Sequence, residues 1–174
     1  FKMFTEYYTY IKSKEWFDAK RILDHLREQA YLTKGVKIIF RDEREKIPIS
    51  YAFYFEGGIV SFVRFLNEDE KPIQGNIFYV EKTHEDIIVE TAFQYTEDVQ
   101  SEELSFANNI HTGEGGMHAT GFRTALTRTL NDYARKNGVV KESEENLTGE
   151  DVREGLTVVI SVTLRQPQFE RQTK

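Results

Sequence analysis

With 174 residues, 39% of them hydrophobic and 13% aromatic, the chain is long enough to bury one sizeable core and part of a second. It has no cysteine, which excludes disulfides, thiolate nucleophiles and cysteine-based zinc sites and fits a reducing compartment. A net charge of −6 excludes a domain that wraps nucleic acid through bulk electrostatics, because such domains are basic overall. No apolar run of about 18 residues and no basic-then-apolar leader is visible, so a cytoplasmic protein with no membrane association is expected.

The first fifteen residues show no period. From Trp16 to Leu32 the apolar residues Trp16, Ala19, Ile22, Leu23, Leu26 and Ala30 recur at three and four, which predicts a helix stopped at Gly35. Val36, Ile38 and Phe40 alternate with polar residues as a strand that runs out in the charged stretch Asp42 to Lys46, the expected domain boundary. Ile49, Tyr51, Phe53 and Phe55 alternate as the next strand, and Gly57-Gly58 leads into a short helix carrying Ile59, Phe62, Val63 and Leu66 on one side. Ile77 to Val80 and Ile87 to Tyr95 read as paired strands joined through Thr83 to Asp86, with a third from Leu104 to Asn109; their connection lengths predict antiparallel neighbours.

His118 to Lys136 is the clearest helix, with Ala119, Phe122, Leu126, Leu130 and Tyr133 inward and Thr124, Arg128, Asn131 and Arg135 outward. Thr148, with Asp151 three residues on, predicts a capped short helix ending at Gly155. Leu156 to Leu164, apolar at every second position and β-branched through its middle, should be a central strand. Clustered strands between separated helices predict an α+β fold, a sheet with helices on one face.

Few stretches carry chemistry. From Met117 to Lys141 the bases Arg123, Arg128, Arg135, Lys136 and Lys141 face the single acid Asp132, a locally positive strip on an acidic body that suits a transient anionic contact. Guanidinium groups donate in a planar fork that fits phosphate, although charge alone equally describes a solvated helix face. Gly113-Glu114-Gly115-Gly116 before a helix offers backbone N–H groups to an anion or simply a flexible way in, and it follows no dinucleotide or P-loop spacing. The four histidines are scattered; His111 and His118 are seven residues apart, and no metal site is expected. No serine or carboxylate pair has a spacing that demands acid–base catalysis. Gln172-Thr173-Lys174 taken alone is a polar tail.

Several segments together resemble the B-subunit family of bacterial DNA gyrase. They are Tyr31-Leu32-Thr33-Lys34-Gly35-Val36-Lys37-Ile38, Phe106-Ala107-Asn108-Asn109-Ile110, Glu114-Gly115-Gly116-Met117-His118 with Gly121-Phe122-Arg123, Ala125-Leu126-Thr127-Arg128, Thr148 to Leu156, and Pro167 to Lys174. The resemblance runs in consistent order from Ile22 to Lys174. It implies that residues 1–46 are the last helix and strand of a gyrase/Hsp90/MutL-type ATPase module. Residues 47–174 would be a transducer domain with the fold of ribosomal protein S5 domain 2.

The implied function is a type II topoisomerase that couples ATP binding and hydrolysis to DNA strand passage and supercoiling. The alternatives are the equivalent subunit of topoisomerase IV, or a stand-alone S5-like module that binds nucleic acid or protein. The resemblance further implies ATP and Mg2+ as cofactors of the full-length subunit, with none bound by this chain alone and no activity in isolation. It implies DNA, the gyrase A subunit in a heterotetramer and a second B subunit on ATP binding as partners. Carried over by residue, Gln172 and Lys174 match the loop that reaches the terminal phosphate, with Lys174 in the catalytic role. Arg123 and Arg128 match a helix that faces DNA. Met117 stands where threonine is usual in that family, and Arg171 where glycine is usual.

Overall fold

The structure, a computed structural model, describes residues 18–44, 46–141 and 143–167, in two compact units divided between Glu56 and Gly57. In the first unit, helix α1 spans Ala19–Leu32 and starts where the Asp18 carboxylate accepts from the Lys20 and Arg21 backbone N–H groups at 3.0 and 3.2 Å. These two donors have no partner inside the helix, so a short acidic side chain at this position stabilises its first turn. Trp16 lies outside the described residues. Strand β1, Ile38–Asp42, pairs antiparallel with β2, Ile49–Phe53, in the register Ile38↔Phe53 to Asp42↔Ile49.

One expectation shifts here. The first strand begins at Ile38, leaving Val36 exposed. Asp42 of β1 pairs with Ile49 of β2, and the compact units divide between Glu56 and Gly57. Within this unit Tyr31 stacks on Phe55 at 3.7 Å between ring centroids, and the Arg27 guanidinium lies 5.6 Å from the centre of the Phe53 ring.

The second unit is a five-stranded sheet in the order β3-β4-β7-β5-β6, formed by β3 Phe78–His84, β4 Ile87–Tyr95, β5 Glu102–Ala107, β6 Ile110–His111 and β7 Leu156–Thr163. Strands β3 and β4 form the expected antiparallel hairpin through Glu85-Asp86. The expectation for β5 is corrected: it pairs parallel with β7 and antiparallel only with the short β6. A parallel neighbour needs a long crossover, and the intervening helices supply it. The β5–β6 turn places Asn108 and Asn109 at φ +48 and +62, a left-handed pair that asparagine tolerates better than most residues and that tight hairpins require.

Helix α2, Ile59–Leu66, and helix α3, Met117–Lys136, lie on opposite faces of the sheet, not on one. Residues opposite each other in a ladder share a face, so Phe93, Tyr95, Leu156, Val158 and Ile160 point one way. Phe122 and Leu126 of α3 pack there. Gln94, Thr157, Val159 and Phe106 point the other way, where Phe62 of α2 comes within 6.3 Å of Phe106. Strand β7 is therefore buried from Leu156 to Val162 with no exposed face, as its unbroken β-branched run requires.

The α2 face also holds a buried polar chain. Asn67 donates to Gln94 Oε1 at 3.0 Å and accepts from Thr157 Oγ1 at 2.7 Å, while Gln94 donates to the Gln74 carbonyl at 2.9 Å. The expected capped helix is α4, Gly149–Arg153, with a reciprocal Thr148–Asp151 capping box. Gly155 follows at φ +69, where an added Cβ would lie 2.5 Å from the Thr96 carbonyl oxygen and 2.7 Å from that of Asp98. Only glycine lets the chain turn that tightly into β7.

Candidate nucleic-acid interface on the long helix

Helix α3 begins at a close approach of side chain to backbone. A Cβ on Gly116 would stand 2.8 Å from the His118 ring, and that ring is held by Thr112 Oγ1 at 3.1 Å from its Nε2. Thr112 is in turn tied to Ser105 by hydroxyl–hydroxyl contact at 2.7 Å and by its own donation to the Ser105 carbonyl at 2.9 Å. The glycine run thus accommodates a histidine that fastens the helix start to β5. Burial pushes the His118 pKa below its ordinary value, against the opposing pull of Glu103.

The inward set of α3 holds in part. Ala119 is buried and Phe122, Leu126 and Leu130 are half-buried, but Tyr133 is 63% exposed and Ala134, outside the expected set, is buried in its place. Asn131, expected outside, is buried: its amide donates to the Thr127 and Leu147 carbonyls at 3.0 and 2.9 Å, and its Oδ1 accepts from the Leu147 N–H at 2.8 Å. One side chain so ties the segment that carries the α4 cap to the long helix.

The basic residues of α3 have three different employments. Arg123 grips Glu103 on β5 through two parallel bonds, Nε to Oε2 at 2.9 Å and Nη2 to Oε1 at 2.8 Å. That fork leaves the Nη1 donors pointing away from the carboxylate, on a side chain still 43% exposed. Arg128 is 83% exposed and stands 3.8 Å from Asp132, a contact too open to hold it. Arg135 leaves the phosphate-facing set: Nε donates to Asn146 Oδ1 at 2.8 Å, Nη1 to the Lys141 carbonyl at 2.9 Å and Nη2 to the Glu144 carbonyl at 2.8 Å. It shapes the loop after the helix.

Sequence reasoning missed Glu103 as the anchor of Arg123, and Arg153 of α4, which lines the same groove as Arg123 and Arg128. No local signal marks either one, because each meets α3 only through the tertiary fold. Gln172 and Lys174 lie outside the described residues, as does Arg171. Before them, Asn108 clamps Leu164 at both backbone groups, accepting from its N–H at 2.8 Å and donating to its carbonyl at 2.9 Å, which fixes where the chain leaves the sheet. Met117 is 93% exposed at the head of α3. Among the described residues no three histidine or carboxylate side chains converge as a metal site, and no helix is long and apolar enough to cross a membrane.

Solved structures resemble most of this chain. The 43K ATPase domain of Thermus thermophilus gyrase B, solved with an aminocoumarin, superposes with a TM-score of 0.79 at 40% identity over 92% of this chain and 43% of its own. The topoisomerase IV ATP-binding domain of Francisella tularensis, with a TM-score of 0.72 at 24% identity over 93% of this chain and 42% of its own, shares the fold. The first of these likenesses gives the class, proteins of the gyrase B type.

The chain belongs to the DNA gyrase B family: that family's model matches residues 58–174, more than half of the sequence. It is 52% identical to the DNA gyrase B protein of Streptococcus pyogenes serotype M3 and 50% identical to that of Streptococcus pneumoniae serotype 4, in each case over 91% of this chain and 24% of the relative. The chain spans about a quarter of the length of these relatives.

Proposed function

We propose that this chain is the relay segment of a DNA gyrase B protein, coupling ATP binding and hydrolysis to DNA strand passage and supercoiling. The observation that supports this most is the continuous match, at about half identity over 91% of the chain, to gyrase B proteins, together with the likeness to a gyrase B ATPase domain. In this reading residues 1–46 are the end of the ATPase module and residues 47–174 an S5-like transducer. Lys174 stabilises charge developing on the terminal phosphate of ATP, and Gln172 reports whether that phosphate is present. The segment acts as a rigid-body switch between nucleotide and DNA.

Arg123 and Arg128 face the DNA backbone. The partners are DNA, the gyrase A subunit and a second B subunit, in the cytoplasm. Mg2+ accompanies ATP in the full-length protein. The chain alone neither hydrolyses nor tightly binds ATP.

Lys174→Ala in the full-length protein tests the relay. ATP turnover is expected to fall by about 100-fold, the scale of losing one donor that acts on developing charge, while ATP binding persists. Unchanged turnover would remove the phosphate role from the tip. Charge reversal at Arg128 is expected to lower the ratio of DNA-stimulated to basal turnover.

A further inference from the structure

Of the seven asparagines in the sequence, Asn137 alone is followed by glycine. The pair sits where α3 ends, and both residues are exposed. Gly138 adopts φ +69, the left-handed conformation that stops a helix, and a Cβ there would meet nothing within 4 Å. Backbone conformation, not crowding, therefore calls for glycine. An asparagine in front of glycine is chemically labile, because the next backbone nitrogen can attack the side-chain Cγ and glycine has no side chain to block the approach. Asn67 and Asn131, by contrast, are buried, and Asn108 is clamped on Leu164; each is followed by a residue with a side chain.

Both reacting groups of the pair are held in the fold. Asn137 Nδ2, the leaving group, donates to the Tyr133 carbonyl at 2.8 Å, and the Gly138 nitrogen, the nucleophile, donates to the Arg135 carbonyl at 3.1 Å. Ring closure needs both bonds released and the Asn137 backbone turned away from ψ 6. The last turn must open first, and helix ends open far more readily than a core.

We propose that Asn137 is a latent deamidation site, masked by the end of α3 and released when that end frays. The Gly138 nitrogen loses its proton to hydroxide and bonds to Asn137 Cγ; the Cγ–Nδ2 bond breaks and ammonia leaves, giving a succinimide ring. Water then opens the ring at either carbonyl to an aspartate or an isoaspartate. The sum is amide plus water to acid plus ammonia, with nothing oxidised or reduced. The new carboxylate cannot donate to the Tyr133 carbonyl, and it stands at the negative end of the helix dipole. It disfavours re-closing the turn, so the change loosens the helix end and the loop that Arg135 ties through Lys141, Glu144 and Asn146.

The test keeps the full-length protein in mildly alkaline heavy-oxygen water and follows label by peptide mass spectrometry. Label should enter the peptide carrying Asn137 before any other asparagine peptide, and about tenfold more slowly than in the same protein unfolded in urea, the scale of a local opening. Equal rates in the two states would show that the helix end masks nothing. No label at Asn137 in the folded protein, once the unfolded sample has converted, would show that the turn stays shut; either result overturns the proposal. Asn137→Gln, whose longer side chain closes such a ring far more slowly, should lose the label, and label that persists in that peptide would overturn the assignment. Asn137→Asp imitates one product and should quicken hydrogen exchange from Tyr133 to Glu144; unchanged exchange would overturn the loosening.

Discussion

The two faces of the five-stranded sheet are covered by helices in different ways. On the α2 face, packing is completed by hydrogen bonds among buried amides and a hydroxyl, from Asn67 through Gln94 and Thr157. On the α3 face the cluster is apolar, with Phe122 and Leu126 against Leu156, Val158 and Ile160, and beside it Arg123 of the helix grips Glu103 of the sheet. A buried polar chain has exacting geometry, and every member needs its partner. Apolar packing has no such donors to satisfy, so it leaves the outward side of α3 free to carry charge.

The largest expected effect breaks the polar face. Asn67→Ala leaves Gln94 Oε1 and the Thr157 hydroxyl buried without their partner, and should cost about 2–4 kcal/mol in denaturant unfolding. A loss below about 1 kcal/mol would mean that α2 is held by its apolar residues alone. DNA affinity should be unaffected, since the change lies on the opposite face.

Smaller and more local is Arg135→Ala, which removes three bonds to the loop after α3 at an expected cost of about 1–2 kcal/mol. Hydrogen exchange should quicken in that loop. If it quickens equally throughout β7, the arginine supports the core and not the loop.

The smallest effect concerns His118, whose folded pKa lies below the ordinary 6.5 because burial disfavours the charged ring. The folded state resists taking up a proton that the unfolded chain accepts. Stability is therefore level above that ordinary value and falls as pH drops through it toward the lower folded value. His118→Gln should flatten this stretch of the stability profile. A profile that keeps its slope near the ordinary histidine value in the variant would remove His118 as its cause.

Legibility in the sequence follows the range of the interactions. The capped α4 and the β3–β4 hairpin are readable because their partners lie within a few residues: Thr148 and Asp151, or the strands on either side of Glu85-Asp86. The parallel β5–β7 pairing is not, because the ladder Glu102↔Thr157 to Ala107↔Val162 joins strands separated by the whole crossover. Asn131 misleads for a similar reason. A polar residue is expected outward unless a partner is waiting inside, and its partner, Leu147, is sixteen residues away.

From the amino-acid sequence alone follow the family, the α+β class, most helices and strands, and the central place of β7, since an unbroken β-branched run is stable only when covered on both sides. Which face each helix covers and what each arginine does are set only once the chain is folded. Charge can be counted along a chain, but its use depends on the acceptor the fold brings within about 3 Å. For Arg123 that acceptor is Glu103, and for Arg135 the loop carbonyls.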